Sequence, residues 1–270
     1  MKDLFQIAAC RWSLHRGYAR LQYHPGVHTY AVAVGLSALG SLGGLLTASI
    51  FLLIGDGLRV RLVPWLISYA VGTLLGVSLL ALLPEALEQL EPSRALATLL
   101  GGVVFFFLLE KLVLWRHCHD SHECEVHTAS AASLVIVGDT FHTFVDGALI
   151  AAAVVTSVPL GITTALAVVA HEIPQEVGDV AILLRAGYSR IRAFTLNLLA
   201  GVGGVLGALA MLAASETLPG VLPYVLSFAA GSFLYVAMAD LIPDLHRNVQ
   251  GGPVRQLLLM GAGIFTITLL

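Results

Sequence analysis

Stretches of about 20 mainly apolar residues, the length a helix needs to cross a bilayer, recur from one end of this chain to the other. Eight are expected, near residues 30–54, 62–84, 95–115, 131–156, 160–184, 193–215, 221–243 and 254–270, the last short and ending with the chain. Hydrocarbon offers backbone groups no water to bond, so such segments fold as helices. Composition agrees: 57% of residues are hydrophobic and only 11% charged, against roughly 25% charged in a soluble domain. Between the stretches, Gly55-Asp56-Gly57, Glu91-Pro92-Ser93, Ser157-Val158-Pro159, Leu218-Pro219-Gly220 and Gly251-Gly252-Pro253 read as turns. The expected fold class is an all-α membrane protein with eight transmembrane helices.

Charge narrows the partners. With 14 Lys and Arg against 17 Asp and Glu, the net charge of −3 offers no basic excess for nucleic acid. Cys10, Cys118 and Cys124 are too few for a disulfide framework. Residues 1–29, with Lys2, Arg11, Arg16 and Arg20, lack the apolar core of a signal peptide and read as an N-terminal arm ahead of a transmembrane domain at 30–270. Alternate loops carry Arg59, Arg61, Lys111, Arg116, Arg185, Arg190, Arg192, Arg247 and Arg255, whereas the opposite loops hold only Arg94. The positive-inside rule then places both termini outside the cytoplasm. The arm's basic residues point the other way, but four loops agree with one another.

Ala70-Val71-Gly72-Thr73-Leu74-Leu75-Gly76-Val77 aligns with Ala229-Ala230-Gly231-Ser232-Phe233-Leu234-Tyr235-Val236, and Leu82-Leu83-Pro84-Glu85 with Leu241-Ile242-Pro243-Asp244. These lie in the second and seventh segments, which run in opposite directions. Antiparallel copies interrupted by Gly and Pro mark inverted-repeat architectures, whose site lies near the midplane. Chance identity between two apolar stretches is the competing explanation, and the shared register of Gly, Pro and acid weighs against it.

Two runs carry ionisable groups to membrane depth, where each costs at least a few kcal/mol and is a functional candidate by default. The fourth segment holds Asp139, His142, Thr143 and Asp146 within an arc of about 100°, and the fifth holds His171, Glu172, Gln175, Glu176 and Asp179 within about 140°. Polar face can therefore meet polar face, hidden from lipid. A single buried histidine is more simply explained by a hydrogen bond. Two of them, each with acids one or four residues away, point to a divalent metal, and imidazole with carboxylate suits zinc and its first-row neighbours. A proton relay would use the same residues.

Pro174 frees the carbonyl of Ala170 within the fifth segment, or serves only as a kink. His171-Glu172-Ile173-Pro174-Gln175 resembles the zinc-protease motif His-Glu-x-x-His, but Gln175 stands where the second histidine is required. Between Arg116 and His127, the residues His117, His119, His122 and His127 with Cys118 and Cys124 form a metal-collecting loop by composition. Glu110 and Lys111 read as an interfacial pair, and Asp240 as an ion guide at the cytoplasmic mouth.

These residues resemble the ZIP (Zrt-, Irt-like protein) family of metal transporters. His142-Thr143-Phe144-Val145-Asp146 is similar to its His-Asn-x-x-Asp, and His171-Glu172-Ile173-Pro174-Gln175-Glu176-Val177-Gly178-Asp179 to its His-Glu-x-Pro-His-Glu-x-Gly-Asp. Phe107-Leu108-Leu109-Glu110-Lys111-Leu112 and the Pro84 and Pro243 helices extend the likeness to nearly everything after residue 30. The resemblance implies an inverted-repeat arrangement of eight helices and passage of zinc, with iron, manganese and cadmium as further substrates, toward the cytoplasm. It implies a main site of His142, Asp146, His171 and the Gln175 position, with Thr143, Glu172 and Glu176 lining a neighbouring one. Departures are Thr143 for Asn, Gln175 for His, and Val77 and Ala81 where related chains carry Asp and His. Divalent metal ions and membrane lipid are the expected partners, with a homodimer admitted, in a plasma membrane or a bacterial inner membrane. No enzyme is expected. The alternatives are an intramembrane metal-dependent hydrolase, against which Gln175 argues, and a metal sensor that moves no ion.

Overall fold

The computed structural model describes residues 27–53, 56–115, 126–218, 220–247 and 252–269. The described residues are helical, with no strand among them. In chain order the helices are α1 (Val27–Leu53), α2 (Asp56–Gly76), α3 (Leu83–Gln89), α4 (Pro92–Trp115), α5 (Val126–Thr156), α6 (Val158–Arg185), α7 (Arg190–Thr217), α8 (Leu222–Tyr235), α9 (Ile242–Arg247) and α10 (Pro253–Leu269). Among the described residues, six spans are long and apolar enough to cross a membrane: Val27–Thr47, Arg61–Gln89, Pro92–Lys111, Ile136–Thr156, Arg190–Thr217 and Leu222–Arg247. Most of the arm expected at 1–29 lies outside the described residues, and Val27 already belongs to α1.

Breaks between helices fall at Glu91, Ser157 and Leu218, as the punctuation placed them, whereas Asp56 and Gly57 already belong to α2, and Gly55, Pro219 and Gly251 lie outside the described residues. Only Ser157 separates α5 from α6. The end of α6 is closed by a Schellman motif, in which Gly187, at φ 85°, donates to the carbonyl of Leu184 and Tyr188 to that of Leu183. Ser189 then caps α7 by accepting from the backbone N–H of Arg192.

The repeat has a counterpart in the backbone. Helix α2 passes into α3 through a π-helical stretch, Val77–Leu82, and α8 passes into α9 through another, Val236–Leu241. Each begins five residues after its repeat glycine, Gly72 or Gly231, and ends two before its proline, Pro84 or Pro243. A proline ring strikes the carbonyl four residues earlier and supplies no donor, and the wider turn lets the helix continue past both problems. Packing is reciprocal too. Gly72 lies against the Met260 carbonyl and Gly263 against that of Tyr69, while Gly231 lies against the Leu99 carbonyl and Gly102 against that of Phe228. Thus α2 pairs with α10 in the way α8 pairs with α4.

The long helices sort into two groups, α1 with α5, α6 and α7, and α2 with α4, α8 and α10. The seam of the first group is made by small residues, which let backbones approach closely. Gly203 and Gly207 of α7 lie against the carbonyls of Thr140 and Phe144, Gly204 lies against Ser41, and Gly147 of α5 lies against the Gly204 carbonyl. Ser37 of α1 donates to the Gly147 carbonyl at 3.2 Å.

Candidate metal centre

Asp139, His142, Thr143 and Asp146 of α5 are buried, as are His171, Glu172 and Glu176 of α6. The two polar faces expected from helical spacing meet each other. Four donors, one each from His142, Asp146, His171 and Glu172, lie within 4.8 Å of one another. His142 Nε2 and His171 Nε2 are 3.3 Å apart, and Asp146 Oδ2 is 3.0 Å from His171 Nε2 and 3.7 Å from His142 Nε2. Glu172 Oε1 is 3.8 Å from His142 Nε2 and 3.9 Å from His171 Nε2. Zinc held tetrahedrally by bonds of about 2.0–2.2 Å sets donors roughly 3.3–3.6 Å apart. The observed separations scatter around that value, so an ion needs only small side-chain shifts to be seated.

Tautomer and desolvation favour an ion here. His171 Nδ1 donates to the carbonyl of Ala167 at 3.0 Å, which leaves the Nε2 lone pair facing the cluster. Both carboxylate oxygens of Asp146, Glu172 and Glu176, and Oδ2 of Asp139, are buried without a hydrogen-bond partner among the described residues. Acceptors facing acceptors inside protein are costly, and a divalent cation between them resolves the cost.

A second group follows along α6. Asp139, Glu172 and Glu176 bring one oxygen each within 4.8 Å of one another, so Glu172 belongs to both groups. Gln175 Nε2 donates to Asp139 Oδ1 at 3.4 Å, and the Thr143 hydroxyl donates to the Asp139 backbone carbonyl. Where the resemblance implied the Gln175 position for the main site and Glu172 for its neighbour, the structure sets Glu172 against both histidines and Gln175 on Asp139. Asp179 is half-buried and close enough to Asp139 and Glu176 to repel them. Pro174 sits inside an uninterrupted α6.

Other candidates lie apart. Asp240, in the π-helical stretch before α9, is exposed and within electrostatic reach of Glu110. Glu110 accepts from the Tyr235 hydroxyl, and Lys111 Nζ lies 5.8 Å over the Phe107 ring. His117, His119 and His122 lie outside the described residues, and His127 opens α5. Two aromatic neighbours were not singled out from sequence. Phe106 of α4 meets His142 edge-on at 5.8 Å, and Phe233 of α8 meets His171 at 5.7 Å. An apolar residue in an apolar segment carries no local signal of such a role.

Buried imidazoles and carboxylates converging from α5 and α6, in a helical bundle with six candidate membrane spans among its described residues, define an integral membrane protein with a donor set of the kind that can hold a metal ion. The family model described as ZIP Zinc transporter matches residues 115–270. The chain is 36% identical over 221 residues to "Zinc transporter ZIP13" of Pongo abelii, covering 76% of this chain and 65% of that protein. Against "Zinc transporter ZIP13" of Homo sapiens it is 32% identical over 261 residues, covering 76% and 69%. Against "Zinc transporter ZIP10" of Mus musculus it is 36% identical over 154 residues, covering 54% and 18%. This chain belongs to the ZIP zinc transporter family, and it spans about two thirds of the length of those ZIP13 relatives.

Proposed function

We propose that this protein moves divalent metal ions, zinc first, across a membrane toward the cytoplasm by alternating access. The observation that carries the reading is the convergence of His142, Asp146, His171 and Glu172 donors, 3.0–3.9 Å apart along the separations given above. Imidazole with carboxylate suits zinc, and iron, manganese and cadmium accept the same donors. Asp146 and Glu172 neutralise the dehydrated ion, and His142 and His171 give the site direction. Glu176 and Asp139, held by Gln175, form the next step along α6.

Phe106 and Phe233 reach these histidines from the other helix group, so rocking one group against the other uncovers or seals the site. In this reading Val158–Arg185 and Pro253–Leu269 also cross, giving eight spans within residues 30–270. The basic residues between the spans place both termini outside the cytoplasm, His117, His119, His122 and His127 collect arriving ions, and Asp240 guides them at that mouth. Residence in a plasma membrane, or a bacterial inner membrane, and pairing as a homodimer complete the proposal.

The test is zinc entry into liposomes carrying the intact chain, His171→Ala or Asp146→Ala. Entry with the intact chain and its loss in both variants is expected. Absence of flux from an intact chain that binds zinc would replace transport by sensing, and equal flux from the variants would sink the site.

A further inference from the structure

Three arginines collect at one corner of the bundle, on helices that supply none of the four metal donors. Helices α2 and α10 run parallel, with Gly72 against Met260 and Gly76 against Ile264 and Ile267, so both start at the same end. Arg255, in the first turn of α10, holds its guanidinium over the Trp65 ring of α2, 4.9 Å from the centroid. Arg61 stands one turn before Trp65 on the same face of α2. Helix α9 ends at this corner as well. Its Leu245 is buried with Ile67 and Val71 of α2, and the Leu245 carbonyl accepts from Gln256 Nε2 at 3.3 Å. Arg247, the last residue of α9, follows two positions later.

Arg61, Arg247 and Arg255 are exposed, and none of them pairs with a carboxylate among the described residues. A guanidinium presents a planar fork of donors that matches two phosphate oxygens at once and gives up its water more readily than an ammonium does. Positive charge gathered from three helices with no counter-charge therefore suits a phosphate.

The surroundings select the form of that phosphate. Trp65 is partly exposed beside the arginines, and the next turn of α10, deeper along the span, exposes Leu257 and Leu258. An indole at the boundary between charged and apolar surface fits the level of lipid headgroups. A free phosphate gains nothing from the leucines, whereas a lipid sets its phosphate on the guanidinium groups and its acyl chains along α10.

We propose that Arg61, Arg247 and Arg255, set around Trp65, form a binding surface for an anionic lipid. Charge placement and packing alone carry the surface. The transport reading supplies only its leaflet, the cytoplasmic one, where anionic lipids gather. Lipid and metal thus bind different halves of the bundle.

The test is native mass spectrometry of the purified full-length chain in detergent, titrated with phosphatidylglycerol or with phosphatidylcholine. One arginine beside an anionic headgroup changes affinity about fivefold, so phosphatidylglycerol should bind at least about tenfold tighter than phosphatidylcholine. By the same measure Arg255→Gln and Arg61→Gln should each weaken phosphatidylglycerol binding about fivefold, and the double variant about twentyfold or more. Arg192→Gln is the control for bulk charge, because Arg192 lies at the same end on the other helix group, 4.7 Å over the Tyr188 ring, and its loss should leave the affinity unchanged. Equal binding of the two lipids, full affinity in the double variant, or an equal effect of Arg192→Gln and Arg255→Gln would overturn the proposal. Glycerol 3-phosphate in large excess should fail to displace the lipid, and displacement would assign the arginines to a small soluble anion instead. None of these outcomes depends on zinc flux, so a failure of the transport reading leaves the lipid result standing.

Discussion

Replacing Gly147 by alanine perturbs the metal site without touching a donor. Gly147 follows Asp146 on α5 and faces α7. A β-carbon there would stand 1.8 Å from the Gly204 carbonyl oxygen and 2.5 Å from its carbon, whereas ordinary contact begins at 3.4 Å. The neighbour is backbone, so no rotamer change relieves the clash, and a close-packed interior does not absorb it locally. The two helices must separate by about 1.5 Å, carrying His142 and Asp146 against α6 by a comparable distance. Donors now 3.0–3.9 Å apart would no longer share one ion at bonds of about 2.0–2.2 Å. A misplacement of about 1 Å can cost 10²-fold in a positioned reaction, so zinc flux should fall roughly 100-fold. The assay is zinc-dye fluorescence in liposomes, with thermal unfolding as the check that the variant folds. Gly35→Ala is the control, since a β-carbon on Gly35 meets nothing within 4 Å. Flux from folded Gly147→Ala within about threefold of the intact chain would refute the argument that this seam sets the donor geometry.

Other outcomes follow from the same contacts. Asp146→Asn keeps the shape of the side chain but removes its charge, and should lower zinc affinity by about 10²-fold or more in a calorimetric titration, because a carboxylate facing both imidazoles is lost. Uptake should fall as external pH drops toward about 6, since protons compete with the metal for imidazole nitrogens. Flux that is flat or rises with acid would defeat that competition. Gln175→His exchanges an amide bonded to Asp139 for an imidazole, and should tighten zinc binding at the Asp139, Glu172 and Glu176 group by about tenfold, read as a change in the second binding constant.

Much of the architecture was legible in the amino-acid order because membranes impose strong local rules. Expected segments near 131–156 and 160–184 became Val126–Thr156 and Val158–Arg185, with only Ser157 between them. His142, Asp146, His171 and Glu172 were recognisable singly, because an ionisable group in an apolar helix needs a reason. Helical spacing showed which of them share a face. Spacing does not say which face meets which, nor how far apart the donors stand.

Those quantities belong to the packed bundle. Glu172 looked like a neighbour of the main site and stands against both histidines, while Gln175 looked like a main ligand and holds Asp139. Phe106 and Phe233 carried no signal of a place beside the histidines, since those contacts join helices distant in sequence. Even the prolines of the repeat helices read as interruptions, and the chain passes them through π-helical turns. By itself, the order of residues determined the membrane class, the apolar segments and the set of candidate ligands, because hydrophobicity and helical period are local properties. Tertiary structure alone decided which candidate donors converge, because that depends on how closely small residues let the backbones of distant helices approach.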